Sequence, residues 1–198
     1  MCDFLYIIIV LLLRGGIILE EDITLYKKFL AGDNNSFDIL MDKHKNSLIY
    51  FIQRYVKVIE IAEDLAQDVF VYLLINKTKY NFDFSLKTYL YTIGKCRALD
   101  YLKREKKIVH INEDYLYSDD ELEDEIFNKE RAENLRKAIT QLKPEYQSAI
   151  YLSDIENLKY KEICIILDKS MPQIKMLIHR ARKNLEYILR KERAKYEG

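Results

Sequence analysis

Residues 160–188 read YKEICIILDKSMPQIKMLIHRARKNLEYI, two helical patterns separated by the short polar turn Asp168-Lys169-Ser170. In the first, Tyr160, Ile163, Ile166 and Leu167 recur at helical spacing and can be buried. In the second, Ile174, Ile178, Ala181, Leu185 and Ile188 follow a 4-3-4-3 spacing and form one apolar stripe. At about 100° per residue, Pro172, Met176, His179, Arg180 and Lys183 lie opposite that stripe, flanked by Gln173 and Lys175. A short helix, a tight turn and a second helix with donors on its free face satisfy the geometry of a helix-turn-helix. The second helix of that motif enters the major groove, with early residues at base edges and later basic ones near phosphates. Asp168 stands where the turn favours a left-handed residue, which Asp tolerates better than most. The same spacing also fits a basic amphipathic helix that only solvates a small bundle, and on these residues alone both readings stand.

The rest of the chain fits an all-α protein. Gly (5) and Pro (2) are too scarce in 198 residues for a sandwich or barrel with many hairpins. Apolar residues make up 49% and charged residues 32%, a globular composition. Lys+Arg and Asp+Glu both total 32, which excludes a uniformly cationic nucleic-acid coat but allows segregated charge. Three scattered cysteines imply no disulfide framework and fit a reducing cytoplasm. His44, His110 and His179 have no ligand-like spacing, so no metal and no cofactor is expected. G-x-G-x-x-G, Walker, G-x-S-x-G and H-E-x-x-H motifs are all missing, which leaves little basis for an enzyme or a small-molecule substrate.

Upstream of the motif, LYKKFLAG ends in Gly32, a natural helix stop. A second helix is predicted from N-cap candidates Asn35 and Ser36, a third over about Ile61–Asn76 and a fourth over about Ser85–Lys106. On the third, Leu65, Val69 and Leu73 face inward, while Asp64, Gln67, Asp68, Val71, Leu74 and Ile75 face out. Acids and an amide beside exposed aliphatics suit a protein interface. The next stretch interleaves aromatics and bases, among them Phe82, Phe84, Tyr89, Tyr91, Lys95, Arg97, Lys103, Arg104, Lys106 and Lys107. Aromatic planes beside cations can hold unstacked bases and their phosphates, although each aromatic taken alone also fits a core. Residues 112–125, NEDYLYSDDELEDE, carry acids and no base and read as an extended linker. It is either a solvated spacer or an acidic strand that mimics nucleic acid. A further helical stretch begins at Pro144, a residue tolerated in a first turn.

The apolar run FLYIIIVLLL, Phe4 to Leu13, is about half the length a bilayer span requires and lacks the basic start of a signal peptide. It fits a short buried element. Lys outnumbers Arg about two to one, which points to an AT-rich bacterial coding sequence. There Arg14-Gly15-Gly16 is readily encoded by a ribosome-binding sequence, and Leu19 by a TTG start codon. Residues 1–18 are therefore expected to be an upstream misreading, with the native chain beginning at Leu19.

AEDLAQDVFVYLL followed by FSLKTYLYTIGKCRALDYLKRE resembles region 2 of sigma-70 family factors of the extracytoplasmic-function type. LRKAITQLKPEYQSAIYLSDIENLKYKEICIILDKSMPQIKMLIHRARKNL resembles region 4 of the same family. The resemblance implies two small helical domains, a region 2 bundle over 19–107 and a region 4 helix-turn-helix over 131–196, joined by an acidic linker over 108–130. It implies a factor that binds core RNA polymerase, directs promoter recognition and answers to an anti-sigma factor. Asp64, Gln67, Asp68 and Phe70 match the family's D-x-x-Q-D-x-F element. Asp64, Gln67, Asp68 and Val71 are the implied polymerase contacts, with Phe70 structural. Phe84, Tyr89, Lys95, Cys96, Arg97, Lys103 and Arg104 are the implied minus-10 contacts, Cys96 standing where the family usually has Asn. Met171, Pro172, Gln173, Lys175, Met176, His179, Arg180 and Lys183 are the implied minus-35 contacts, and Leu177 stands where an Arg is frequent. The other class of function open to the sequence is a stand-alone helix-turn-helix regulator that does not need polymerase.

Overall fold

The computed structural model describes residues 21–108 and 135–196, with side chains through 105 and 191. The expectations for residues 1–18, for the acidic segment and for Lys106 and Lys107 lie outside the described side chains. Among the described residues every regular element is helical.

The first helix, α1 (21–30), ends as the sequence predicts. Gly32 takes φ 104, and the Gly32 and Asp33 N–H groups donate back to the carbonyls of Phe29 and Lys28, both at 3.0 Å. Helix α2 (Asn34–Val56) begins ahead of the predicted N-cap candidates. Asp33 is the cap, accepting from the Asn35 N–H at 3.1 Å and the Ser36 hydroxyl at 2.7 Å. A carboxylate two residues upstream wins over the Asn and Ser side chains for the same orphan donors. Helix α3 (Ile59–Ile75) buries Ala62, Ala66, Val69, Phe70 and Leu73. Helix α4 (Leu86–Ile108) starts at Ser85, whose hydroxyl accepts the Thr88 N–H at 3.2 Å. It lies close on α2 at Gly94, where an added Cβ would stand 3.0 Å from Leu48 Cδ1. Absence of a side chain there sets the approach of the two helices.

Helix α5 (135–140) leads into α6 (Pro144–Ile150), with Pro144 in the first turn as its fixed φ favours. The Gln147 amide closes the α5–α6 turn by donating to the carbonyls of Thr140 (3.1 Å) and Leu142 (2.8 Å). A π-helical turn (Tyr151–Ile155) follows, then α7 (Tyr160–Leu167) and α8 (Met171–Tyr196). Asp168 takes φ 55, the left-handed conformation expected of the turn.

One feature was not legible in the sequence. The two halves pack on each other through one continuous apolar core that includes Phe51 and Tyr91 from the first half and Tyr151, Leu152 and Ile163 from the second. Phe51 stacks on Tyr91 at 4.8 Å between centroids, and Tyr151 stands 6.2 Å from Phe51. Tyr91 is thus a core residue, and its mixture with bases in the sequence is incidental to its packing.

Candidate functional surfaces

Three surfaces carry the residues that the sequence marks. The first is the outer face of α3. Asp64, Gln67, Asp68 and Val71 are all exposed, and Leu74 and Ile75 stay exposed beside them, Ile75 at 75%. Phe70 is 5% exposed and belongs to the core, as its position on the helix predicts. Helical spacing produces this division: the inward residues recur at three and four, and the acids fall between them. Three apolar side chains left in water next to two carboxylates form a surface suited to another protein.

The second surface is built on α4 and the turn before it. Phe84, Cys96, Lys103 and Arg104 are exposed, and Lys103 lies 3.5 Å from Asp100. Tyr89 is half-buried, its ring 5.2 Å from that of Tyr80. Arg97 sits 5.8 Å from the centre of the Tyr72 ring, and Lys79 reaches the same ring at 5.4 Å. Lys77 lies 5.7 Å from the Phe29 ring. Tyr72, Lys77 and Lys79 therefore join a basic and aromatic surface that the sequence reading did not assign to them. The convergence of Tyr72 and Lys79 with Arg97 depends on how α3 packs against α4.

Lys95 departs from the expected free cation. It is half-buried and turned toward the second half of the chain, where burial pushes its ammonium pKa down despite the opposing charge of Asp168. The charges that face it are those of Asp168 and Lys169 in the turn after α7 and of Glu145 in α6.

The third surface is α8. Ile174, Ile178 and Ala181 are buried, while Pro172, Gln173, Lys175, Met176, His179, Arg180 and Lys183 are exposed, as the stripe predicts. Met171 is half-buried in the first turn and presents less of itself than expected. Leu177 is 8% exposed and packs in the core, so no contact to solvent or ligand passes through it. Gln173 has a local task as well, since its Oε1 accepts the Ser170 N–H at 2.8 Å and caps the helix. Arg182, a basic residue farther along the same helix, is not free. It forks onto Asp154 through Nε (3.1 Å) and Nη2 (2.5 Å).

The described residues contain no cluster of His, Cys, Asp and Glu able to hold a metal ion, and no helix long and apolar enough to cross a membrane. The chemistry on offer at these surfaces is recognition: salt bridges, hydrogen bonds, stacking and apolar contact.

Comparison with known proteins agrees with this arrangement. Residues 40–108 match the family described as Sigma-70 region 2, and residues 132–185 match Sigma-70, region 4. The chain is 29% identical over 164 residues to the RNA polymerase sigma factor YlaC of Bacillus subtilis, covering 80% of this chain and 95% of that one. It is 26% identical over 176 residues to the ECF RNA polymerase sigma factor SigW of the same organism, covering 83% and 94%. Among solved structures, CnrH in complex with the cytosolic domain of CnrY superposes with a TM-score of 0.63 at 19% identity, covering 86% of this chain and 98% of that one. The sigma factor RpoE of Bartonella quintana, solved with the anti-sigma factor NepR, superposes with a TM-score of 0.62 at 19% identity, covering 78% and 96%.

Proposed function

This chain belongs to the sigma-70 family, in its extracytoplasmic-function group, and on that premise we propose that it binds core RNA polymerase and directs it to promoters. The observation that carries the reading is the ordered pair of regions on one chain. A region 2 match with an exposed acidic and apolar helix face precedes a region 4 match with an exposed recognition face. A stand-alone helix-turn-helix regulator would need only the second. The matched stretches support dividing the chain into a region 2 domain over 19–107 and a region 4 domain over 131–196, with 108–130 between them.

Within this reading Asp64, Gln67, Asp68 and Val71 contact the polymerase. Phe84, Tyr89, Cys96, Arg97, Lys103 and Arg104 contact the minus-10 element, and the half-buried Lys95 lies at the edge of that surface. Tyr72 and Lys79 extend that surface through their contacts with each other and with Arg97. Pro172, Gln173, Lys175, Met176, His179, Arg180 and Lys183 face the minus-35 element, with Met171 at the edge. The protein acts by binding DNA and polymerase, and catalysis belongs to the polymerase. An anti-sigma factor is the expected regulator, a partner class that the solved Bartonella complex supports.

Run-off transcription with purified core polymerase on genomic fragments tests the proposal. Discrete transcripts should require both the chain and the core enzyme. Promoter footprints by the chain alone, with no transcripts in the presence of polymerase, would favour the stand-alone regulator.

A further inference from the structure

Gln173 enters the recognition surface with one end already committed. Its Oε1 accepts the Ser170 N–H at 2.8 Å across the start of α8, and only the oxygen of an amide can accept that bond. The amino group Nε2, with two hydrogens to donate, is the end left for a partner outside the chain. A free Gln reads adenine by offering a donor and an acceptor together to N7 and N6. Gln173, with its oxygen held, is a donor instead.

Its neighbours have the same polarity. From Met171 to Lys183, α8 carries no Asp or Glu, and the exposed Lys175, Arg180 and Lys183 only donate. His179, farther along, holds the other side-chain nitrogen or oxygen acceptor in that stretch. Glu145 of α6 borders the same surface, with its Oε1 3.5 Å from the Lys169 ammonium. A base edge that offers acceptors therefore meets several donors here, whereas an exocyclic amino group meets few acceptors.

Met176 supplies a different kind of contact. It is 50% exposed in the second turn of α8, on the side opposite the buried stripe. With Pro172, Leu177 and Tyr146 it lines an open hollow, and Gln173 and Arg180 line the same hollow. Thymine is the base that presents a methyl group in the major groove. Residues three apart on a helix, as Gln173 and Met176 are, stand about 5–6 Å apart at Cβ. That separation spans one or two base-pair steps of ~3.4 Å.

We propose that α8 reads a guanine edge through Gln173 Nε2 and, one or two base pairs away, a thymine methyl seated against Met176. The bond to Ser170 is what turns Gln173 from an adenine reader into a guanine reader. The inference rests on the sigma-factor reading of α8 and deepens it by naming the bases this surface takes. Guanine presents N7 and O6, two acceptors and no donor, whereas adenine adds an amino donor and cytosine presents only an amino donor. Gln173→Glu keeps an oxygen for the Ser170 N–H and makes the free end an acceptor, the chemistry that fits cytosine N4.

A library randomised across the minus-35 element, transcribed by holoenzyme formed with the full chain, tests both contacts. Wild type should select G·C at one position, and Gln173→Glu should reverse that pair to C·G, shifting their ratio roughly tenfold or more. Preferences are compared within each variant, so a uniform loss from the added carboxylate does not enter. A T·A pair should be selected one or two positions away. Deoxyuridine in place of that thymine removes only the methyl, and should weaken wild-type holoenzyme binding about three- to fivefold. The same replacement should leave Met176→Ala holoenzyme unaffected. A preference that Gln173→Glu leaves unchanged, or a wild-type choice of A·T at that position, overturns the Gln173 assignment. No loss from deoxyuridine in wild type, or an equal loss in Met176→Ala, overturns the Met176 assignment. Wild-type holoenzyme that yields no transcripts counts against the sigma-factor reading instead, and selection of the same library as duplex by the chain alone then decides the base assignments.

Discussion

Arg182 of α8 grips Asp154 of the π-helical turn with two hydrogen bonds, so the helix that carries the minus-35 surface is braced from behind. The bond to Asp154 raises the Arg182 pKa. Burial pushes the Asp154 carboxyl up, but its bonds from Arg182 and Ser153 outweigh that and hold it below its ordinary value. The pair is partly exposed, so its contribution is modest. Arg182→Ala should lower stability by about 1 kcal/mol or less in chemical denaturation, without the salt-dependence change that a lost phosphate contact would bring.

Gln173 has two separable tasks. Gln173→Ala should change the preferred bases at one or two minus-35 positions by ~1–3 kcal/mol and also weaken the helix by ~0.5–1 kcal/mol through its lost cap. Gln173→Glu keeps an acceptor for the Ser170 N–H and should restore stability without restoring the preference. Lys175→Ala should re-sort bases with no effect on the cap. A randomised minus-35 library transcribed by each holoenzyme, beside denaturation curves, separates these outcomes.

Arg180 is exposed on the free face of α8, turned away from the buried stripe. Arg180→Ala should weaken all promoters alike and flatten the log–log salt dependence by about 0.9. If the mutant instead re-orders promoters, α8 sits in the groove with Arg180, rather than the first turn, at the base edges.

Asp64→Ala, Gln67→Ala and Asp68→Ala combined should abolish polymerase binding while leaving the fold intact, since exposed substitutions usually shift stability by ~0.5 kcal/mol or less each. Wild-type affinity in a folded triple variant removes α3 from the interface.

Asp22 ties α1 to α2 through His44 Nε2 at 2.9 Å and Lys43 Nζ at 2.8 Å. Burial pushes its carboxyl up, but these partners outweigh burial and hold it below its ordinary 3.8. A depressed folded pKa means the carboxylate's contribution is full above about pH 4 and is lost as pH falls through the folded value. Asp22→Asn should therefore be less stable than wild type at neutral pH, by ~1–3 kcal/mol, with the difference narrowing below pH 4. Thermal melts across that range give the comparison, and a constant difference at every pH would assign the loss to packing.

Residue order alone located most of the exposed helix faces. The stripe from Ile174 to Ile188 determines which side of α8 is buried, because a helix places positions three and four apart on one face, and its opposite side emerged exposed. The alternation on α3 likewise separated Asp64, Gln67 and Asp68 from Val69 and Leu73. Those are local periodicities, and a single helix is enough to express them. Helix ends were less legible, as at Asp33, because several neighbouring polar side chains compete for the same N–H groups.

Tertiary packing decided what local pattern could not carry. Tyr72, Lys79 and Arg97 meet only because α3 and α4 cross, and Tyr91 becomes core only because Phe51 stacks against it. The ties from Lys87 to Glu156 and from Thr88 to Glu162 join positions 69 and 74 residues apart. No periodicity encodes such pairs: each depends on the surfaces of two finished helices, and burial of the apolar core brings them within reach. Sequence thus determined which faces are offered, and packing determined which of them stay open.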